Sequence, residues 1–193
     1  MRVTDDRYTR DRLRLDLAQR LIHHEARTFN IRQWTGLSDD RIRKLYRSYV
    51  ANGGAQLILR HRGKSPRQPA HFFRSAERSF QAAQLASIYI IFGLLNASTL
   101  GVEARLELRS LPACLLLCQA YEAYLQIHAP HAPLSFEHAW FLLLALARRQ
   151  KIGISQCGRC GGIKLCDLLS HRPAHCANCE TGSLKLDLGE AAR

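Results

Sequence analysis

Cys157 and Cys160 form one C-x-x-C and Cys176 and Cys179 another, with 15 residues between the pairs. Two such knuckles bring four thiolates to the corners of a tetrahedron, the geometry in which zinc is held at about 2.3 Å from each sulfur. The neighbours suit that chemistry. Gly158, Gly161 and Gly162 permit positive dihedral angles and close backbone approach, and Asn178 tolerates a left-handed turn. Arg159, Lys164 and Arg172 can offset the negative charge that four thiolates leave around a dication. Cys166, in GGIKLCDLLSH, lies on an apolar, strand-like run that suggests a hairpin arm, and is expected to be a small buried side chain. His171 and His175 are conceivable substitute ligands, although His175 directly precedes Cys176 and should point away. Cys114 and Cys118, at i and i+4 of an apolar segment, are expected in the core.

Catalytic uses of the same residues fit less well. Zinc deaminases require H-x-E followed by P-C-x-x-C, and PAHCANC inserts two residues between Pro173 and Cys176. A four-cysteine site also leaves no open position for an activated water. A redox C-x-x-C stands at a helix start without a second matching pair. HHEAR at His23 to Arg27 has the opening of a zincin but lacks its second histidine. The expectation is a structural zinc and no enzyme.

A second chemistry is electrostatic. The chain of 193 residues has a net charge of +12. Positions 1–64 hold 15 basic and 7 acidic residues, so most of the excess is N-terminal. Such a bias favours an anionic partner: nucleic acid first, then an anionic membrane or an acidic protein. Within TGLSDDRIRKLYRSY, Gly36 breaks one helical pattern and Ser38 starts another as an N-cap. Asp39 and Asp40 suit the positive end of the helix dipole. Segment 27–50 therefore reads as helix, turn, helix, with Arg41, Arg43, Lys44 and Arg47 as candidate DNA contacts. The plainer alternative is two packed helices with a solvated basic face.

The remaining elements must position these two groups. Leu13, Leu17, Leu21 and Ile22 form one stripe of an amphipathic helix from Arg12 to about Asn30, with Ile42, Leu45, Tyr46 and Tyr49 forming another. Residues 51–69 read as a loop with a short strand at Gln56 to Arg60. Three helical patterns follow, from about Ser75 to Asn96, Pro112 to Ile127 and Ser135 to Lys151. They are apolar round much of their circumference and must be buried against each other or a partner. The expected fold is mainly α, with a helical DNA- and partner-binding region at 1–150 and a zinc module with a short tail at 151–193. The N-terminus lacks the apolar core of a secretory signal, and ASIYIIFGLLNA is too short to cross a bilayer. The expected location is therefore the cytoplasm, where thiols stay reduced.

TGLSDDRIRKLYRSY, AYEAYLQ and PLSFEHAWFLLLALARRQKIGISQCGRCGG with HCANC together resemble the FlhC family of bacterial flagellar transcription activators. The resemblance spans most of the chain, although ANGGAQLILRHRGKSP stands where the family has a proline-rich loop. It implies one zinc held by Cys157, Cys160, Cys176 and Cys179. It also implies a hetero-oligomer of four FlhD and two FlhC subunits, binding to DNA upstream of flagellar class II promoters, and recruitment of RNA polymerase. The alternative is a zinc-stabilised RNA-binding or structural interaction protein.

Overall fold

Leu17, Ala18, Leu21 and Ile22 recur at helical spacing and are all essentially inaccessible. Burying each of the larger ones contributes roughly 1.5–3 kcal/mol and fixes one face of the first helix against the rest of the chain. The structure is a computed structural model. It describes residues 2–51, 58–61, 63–98, 101–128, 134–149, 151–169 and 175–180. In order these form α1 (Arg2–His23), α2 (Thr28–Thr35), α3 (Asp39–Ala51), a 3-10 turn (Pro69–Phe73) and α4 (Ala76–Ile91). Next come β1 (Leu95–Ser98), β2 (Gly101–Ala104), α5 (Leu111–His128), α6 (Phe136–Ala147), β3 (Ile152–Gln156), β4 (Ile163–Asp167) and α7 (Ala177–Glu180). The fold is mainly helical, as expected, with two antiparallel hairpins, β1–β2 and β3–β4. No helix among the described residues is long and apolar enough to cross a membrane.

Helix α4 is central, touching α5, α6, α7 and strands β1 and β4. Its buried phenol, Tyr89, donates to the Ala139 carbonyl of α6 at 2.8 Å. Tyr121 donates to the Leu134 carbonyl at 2.9 Å, and Tyr124 accepts from Leu134 N–H at 3.0 Å, so α5 also holds the approach to α6. Each phenol thereby buries its ring without leaving its hydroxyl unpaired. The N-terminal helices join through aromatic contacts, with Trp34 of α2 edge-on to Trp140 of α6 at 4.6 Å and His24 stacked on Phe136 at 5.5 Å. Arg20 binds Glu122 of α5 through two nitrogens, and this holds the Glu122 carboxyl below its ordinary range.

Serine caps start the helices where the sequence suggests. Ser38, Ser75 and Ser135 accept from the N–H groups of Arg41, Arg78 and His138. The ends differ more. The helix expected to run from Arg12 to about Asn30 begins at Arg2 and stops at His23. Glu25 (φ 57°) closes it, with Ala26 N–H bonding Leu21 O and Glu25 N–H bonding Ile22 O. Leu13 is exposed rather than part of the core, as is every residue from Arg7 to Arg14. Likewise α4 ends at Ile91 with Gly93 (φ 73°), and Leu95–Ser98 turns back as β1 instead of continuing the helix to Asn96. Helix α6 ends at Ala147 rather than Lys151, where Arg149 (φ 51°) takes the left-handed position. The described part of the expected strand at Gln56 to Arg60 is coil at 58–60; Gln56 and Leu57 lie outside the described residues.

Hairpin β3–β4 is pinned to this core. Ile152 and Leu165 are buried in the same cluster as the helices. Gly153 pairs with Cys166, and a β-carbon there would sit 2.8 Å from Leu168 Cδ2, so that position admits only glycine without a shift. The loop joining the two strands, residues 157–162, is the first knuckle.

Candidate metal centre

The knuckle closes on itself by backbone hydrogen bonds. Cys157 N–H donates to Gly162 O and Gly161 N–H donates to Cys157 O, both at 2.9 Å. Of its three glycines, Gly161 takes the left-handed conformation (φ 69°), with nothing near the place of a β-carbon. Gly162 serves close approach instead, since a β-carbon there would lie 3.4 Å from Cys160 Sγ. Gly158 and Gly162 do not need the positive dihedral angles that their type allows. The second pair arrives at the start of α7, with Cys176 just before the helix and Cys179 within it, and α7 rests on α4. Asn178 is helical there rather than in a left-handed turn.

The sulfurs of Cys157, Cys160, Cys176 and Cys179 all lie within 4.8 Å of one another, and the cluster can hold a metal ion. A tetrahedron with arms of about 2.3 Å has edges of about 3.8 Å; Cys160 and Cys176 Sγ are 3.8 Å apart. Cys176 N–H points at Cys157 Sγ at 3.2 Å, and Arg159 crosses from the first knuckle to donate to Cys179 O at 3.2 Å. Cys157 and Cys179 are buried, and Cys160 faces outward.

The thiols differ in acidity for physical reasons. Cys157 is drawn down to about 5, chiefly by the backbone N–H of Cys160, with the N–H groups of Arg159 and Cys176 adding to it. Cys179 is pushed up to about 12, first by burial and then by the neighbouring sulfurs of Cys176, Cys160 and Cys157. One thiolate forms readily and the last resists, because four converging negative charges repel. A cation at the centre reverses that balance, so the donor set fits a thiophilic metal.

Other candidates fall outside the cluster. Cys166 is buried, with its Sγ against Gly153. His175 is exposed and is not among the clustered groups. His171 and Arg172 lie outside the described residues. Cys114 and Cys118 are buried in α5, and burial raises the Cys114 thiol further above its ordinary range. Lys164, named in the sequence as a charge partner, is buried on β4 opposite Ser155.

The N-terminal candidates take a different form. Helices α2 and α3 meet at Gly36 (φ 68°), whose N–H caps Arg32 O. Ile42 and Tyr46 face the core, Tyr46 donating to Ala26 O at 2.9 Å, while Arg41, Arg43, Lys44 and Arg47 are all exposed. They are not equivalent, since Arg43 Nη1 is held by Asp40 Oδ1 at 2.9 Å. No ion pair involves Arg41, Lys44 or Arg47 among the described residues. The Tyr49 side chain is outside that description. No family model matches the chain, and no curated protein matches it.

Proposed function

We propose that this chain is a DNA-binding transcription activator subunit of the FlhC type. On this reading it acts in the cytoplasm with FlhD, four FlhD to two copies of this chain, on flagellar class II promoters, and recruits RNA polymerase. The observation that carries the DNA reading is the exposed basic face of α3, set on a helix whose opposite face is locked into the core. A rigid helix offering Arg41, Arg43, Lys44 and Arg47 to solvent suits a major groove, with residues near the helix start at base edges and those further along on phosphate. The resemblance in sequence supplies the partners and the promoters.

Zinc is the proposed metal. Cys157, Cys160, Cys176 and Cys179 would hold it, and it would supply charge compensation and a cross-link between the two knuckles. The chain does the rest: N–H groups of the knuckle stabilise thiolate, β3 and β4 anchor the loop, and α7 brings the second pair. The role of the site is to hold hairpin β3–β4 and α7 together on α4. The arginines then contribute affinity that falls steeply with salt as counterions are released.

The test is a fluorescence-anisotropy titration of flagellar promoter DNA with the chain co-purified with its cognate FlhD, against scrambled DNA at equal salt. A preference of about a thousandfold is expected, the low end for specific readers. Equal affinity for RNA and for both duplexes would replace this reading with the RNA-binding or structural one.

A further inference from the structure

A second candidate site lies away from the cysteines. Between α2, α6 and the segment 63–69 is a cleft of about 660 Å³, within the size range of small-ligand sites. Lys64, Arg67, Arg109, Arg148 and Lys151 line it, all five exposed and none in an ion pair among the described residues. The single acidic side chain in the lining, Glu137, is already committed. Its carboxylate accepts from Arg27 N–H and from Asn30 Nδ2 at 2.9 Å, with Arg27 Nε 3.7 Å away. Five like charges around one concavity repel each other, and a concentrated anion relieves that repulsion. Lys151 (φ 68°) and neighbouring Arg149 (φ 51°) adopt the left-handed region that a β-carbon disfavours, and Lys151 lines the cleft from there.

Aromatic rings make up much of the apolar lining. Trp34 and Trp140 line its floor, with Trp34 Nε1 tied to Leu108 O at 3.1 Å. Phe29, on the α2 side, is 55% exposed, although it is a large apolar side chain on a packed helix. Its ring has the Arg32 guanidinium 5.7 Å from the centroid, and an exposed ring with a neighbouring arginine is a surface on which a nucleobase stacks. Charge density separates the sources of such a ligand. A nucleic-acid strand carries one charge per nucleotide, whereas linked phosphates bring several into a space this size. Gly63, Lys64 and Ser65 do not make a P-loop, because position 58 is isoleucine and no helix follows directly. Side chains must do the holding.

We propose that this cleft binds a nucleoside triphosphate, with its base on Phe29 and its phosphates among Lys64, Arg67, Arg109, Arg148 and Lys151. The site is independent of the DNA reading, because none of these residues lies on α3.

The chain's two tryptophans both line the cleft, so intrinsic emission reports on it directly. The chain is titrated with ATP, with inorganic triphosphate and with single-stranded tetrathymidylate. Saturable change with ATP and competition by triphosphate are expected. Lys64→Ala with Arg67→Ala should weaken ATP by about tenfold or more, the worth of one charge-assisted contact, with far-UV circular dichroism unchanged. Phe29→Ala should weaken ATP but not triphosphate. Emission that never saturates, or a double variant that binds ATP like the parent, overturns the proposal. So does tetrathymidylate binding more tightly than ATP, which would put a strand in the cleft. Promoter binding is measured separately, so its failure leaves this result standing.

Discussion

Gly36 and Gly161 hold nearly the same backbone conformation, at φ 68° and 69°, and neither has an atom within 4 Å of the place of a β-carbon. One turns α2 into α3 and the other closes the cysteine knuckle. Around Gly161 the chain folds inward, so that four sulfurs converge to within 4.8 Å. Around Gly36 it folds outward, and Arg41, Arg43, Lys44 and Arg47 diverge into solvent. The same local device therefore serves two kinds of site. A converging set is chemically complete within one chain, because its members perturb one another. A diverging set acquires meaning only against a surface that matches it.

The largest effect should come from breaking the convergence. Cys157→Ala is expected to lose the metal and to destabilise hairpin β3–β4 and α7 by several kcal/mol, because metal affinity is folding free energy for a small module. Metal stoichiometry and thermal denaturation check this, and a variant that keeps one metal per chain would remove Cys157 from the ligand set. A sharper comparison exchanges each glycine for alanine. Gly161→Ala and Gly36→Ala should each cost about 1–2 kcal/mol in stability, since both force a β-carbon into the left-handed region. Only Gly161→Ala should also weaken metal binding, by about tenfold in a chelator competition. Equal effects on metal affinity would mean that the two regions are coupled through the core. The smallest effect belongs to the diverging face. Arg47→Ala should lower promoter affinity several-fold and reduce the salt slope by about one, with the melting temperature unchanged. Arg43→Ala should do less, because Arg43 must first give up Asp40. The reverse order in a titration at fixed salt would show that Arg43 changes partner on binding DNA.

Much of the fold was readable from local chemistry. Ser38, Ser75 and Ser135 mark helix starts because a cap acts within three residues of itself. Helix ends were harder to read. Among the described residues four helices stop at a left-handed residue; Gly36 and Gly93 announce themselves, whereas Glu25 and Arg149 do the same work with side chains that usually continue a helix. Hairpin β1–β2 was missed because LNAS extends the apolar run of α4, and its partner strand is four residues long. Leu13 was misplaced because periodicity gives a face but not what covers it.

For the centre itself, the sequence determined the donors. C-x-x-C twice specifies four thiols and a local turn, since the spacing within each knuckle is enforced by a few bonds. Tertiary structure decided what those pairs meet. Cys176 N–H reaches Cys157 Sγ across 19 positions because α7 and β4 both rest on α4. The cleft was invisible in the sequence for the same reason. Phe29, Lys64, Arg109 and Lys151 have no shared spacing, and they become neighbours only when burial of α2 and α6 in one core brings their exposed ends to one concavity. Turns and caps are written over a few residues, whereas burial depends on every element that packs at once.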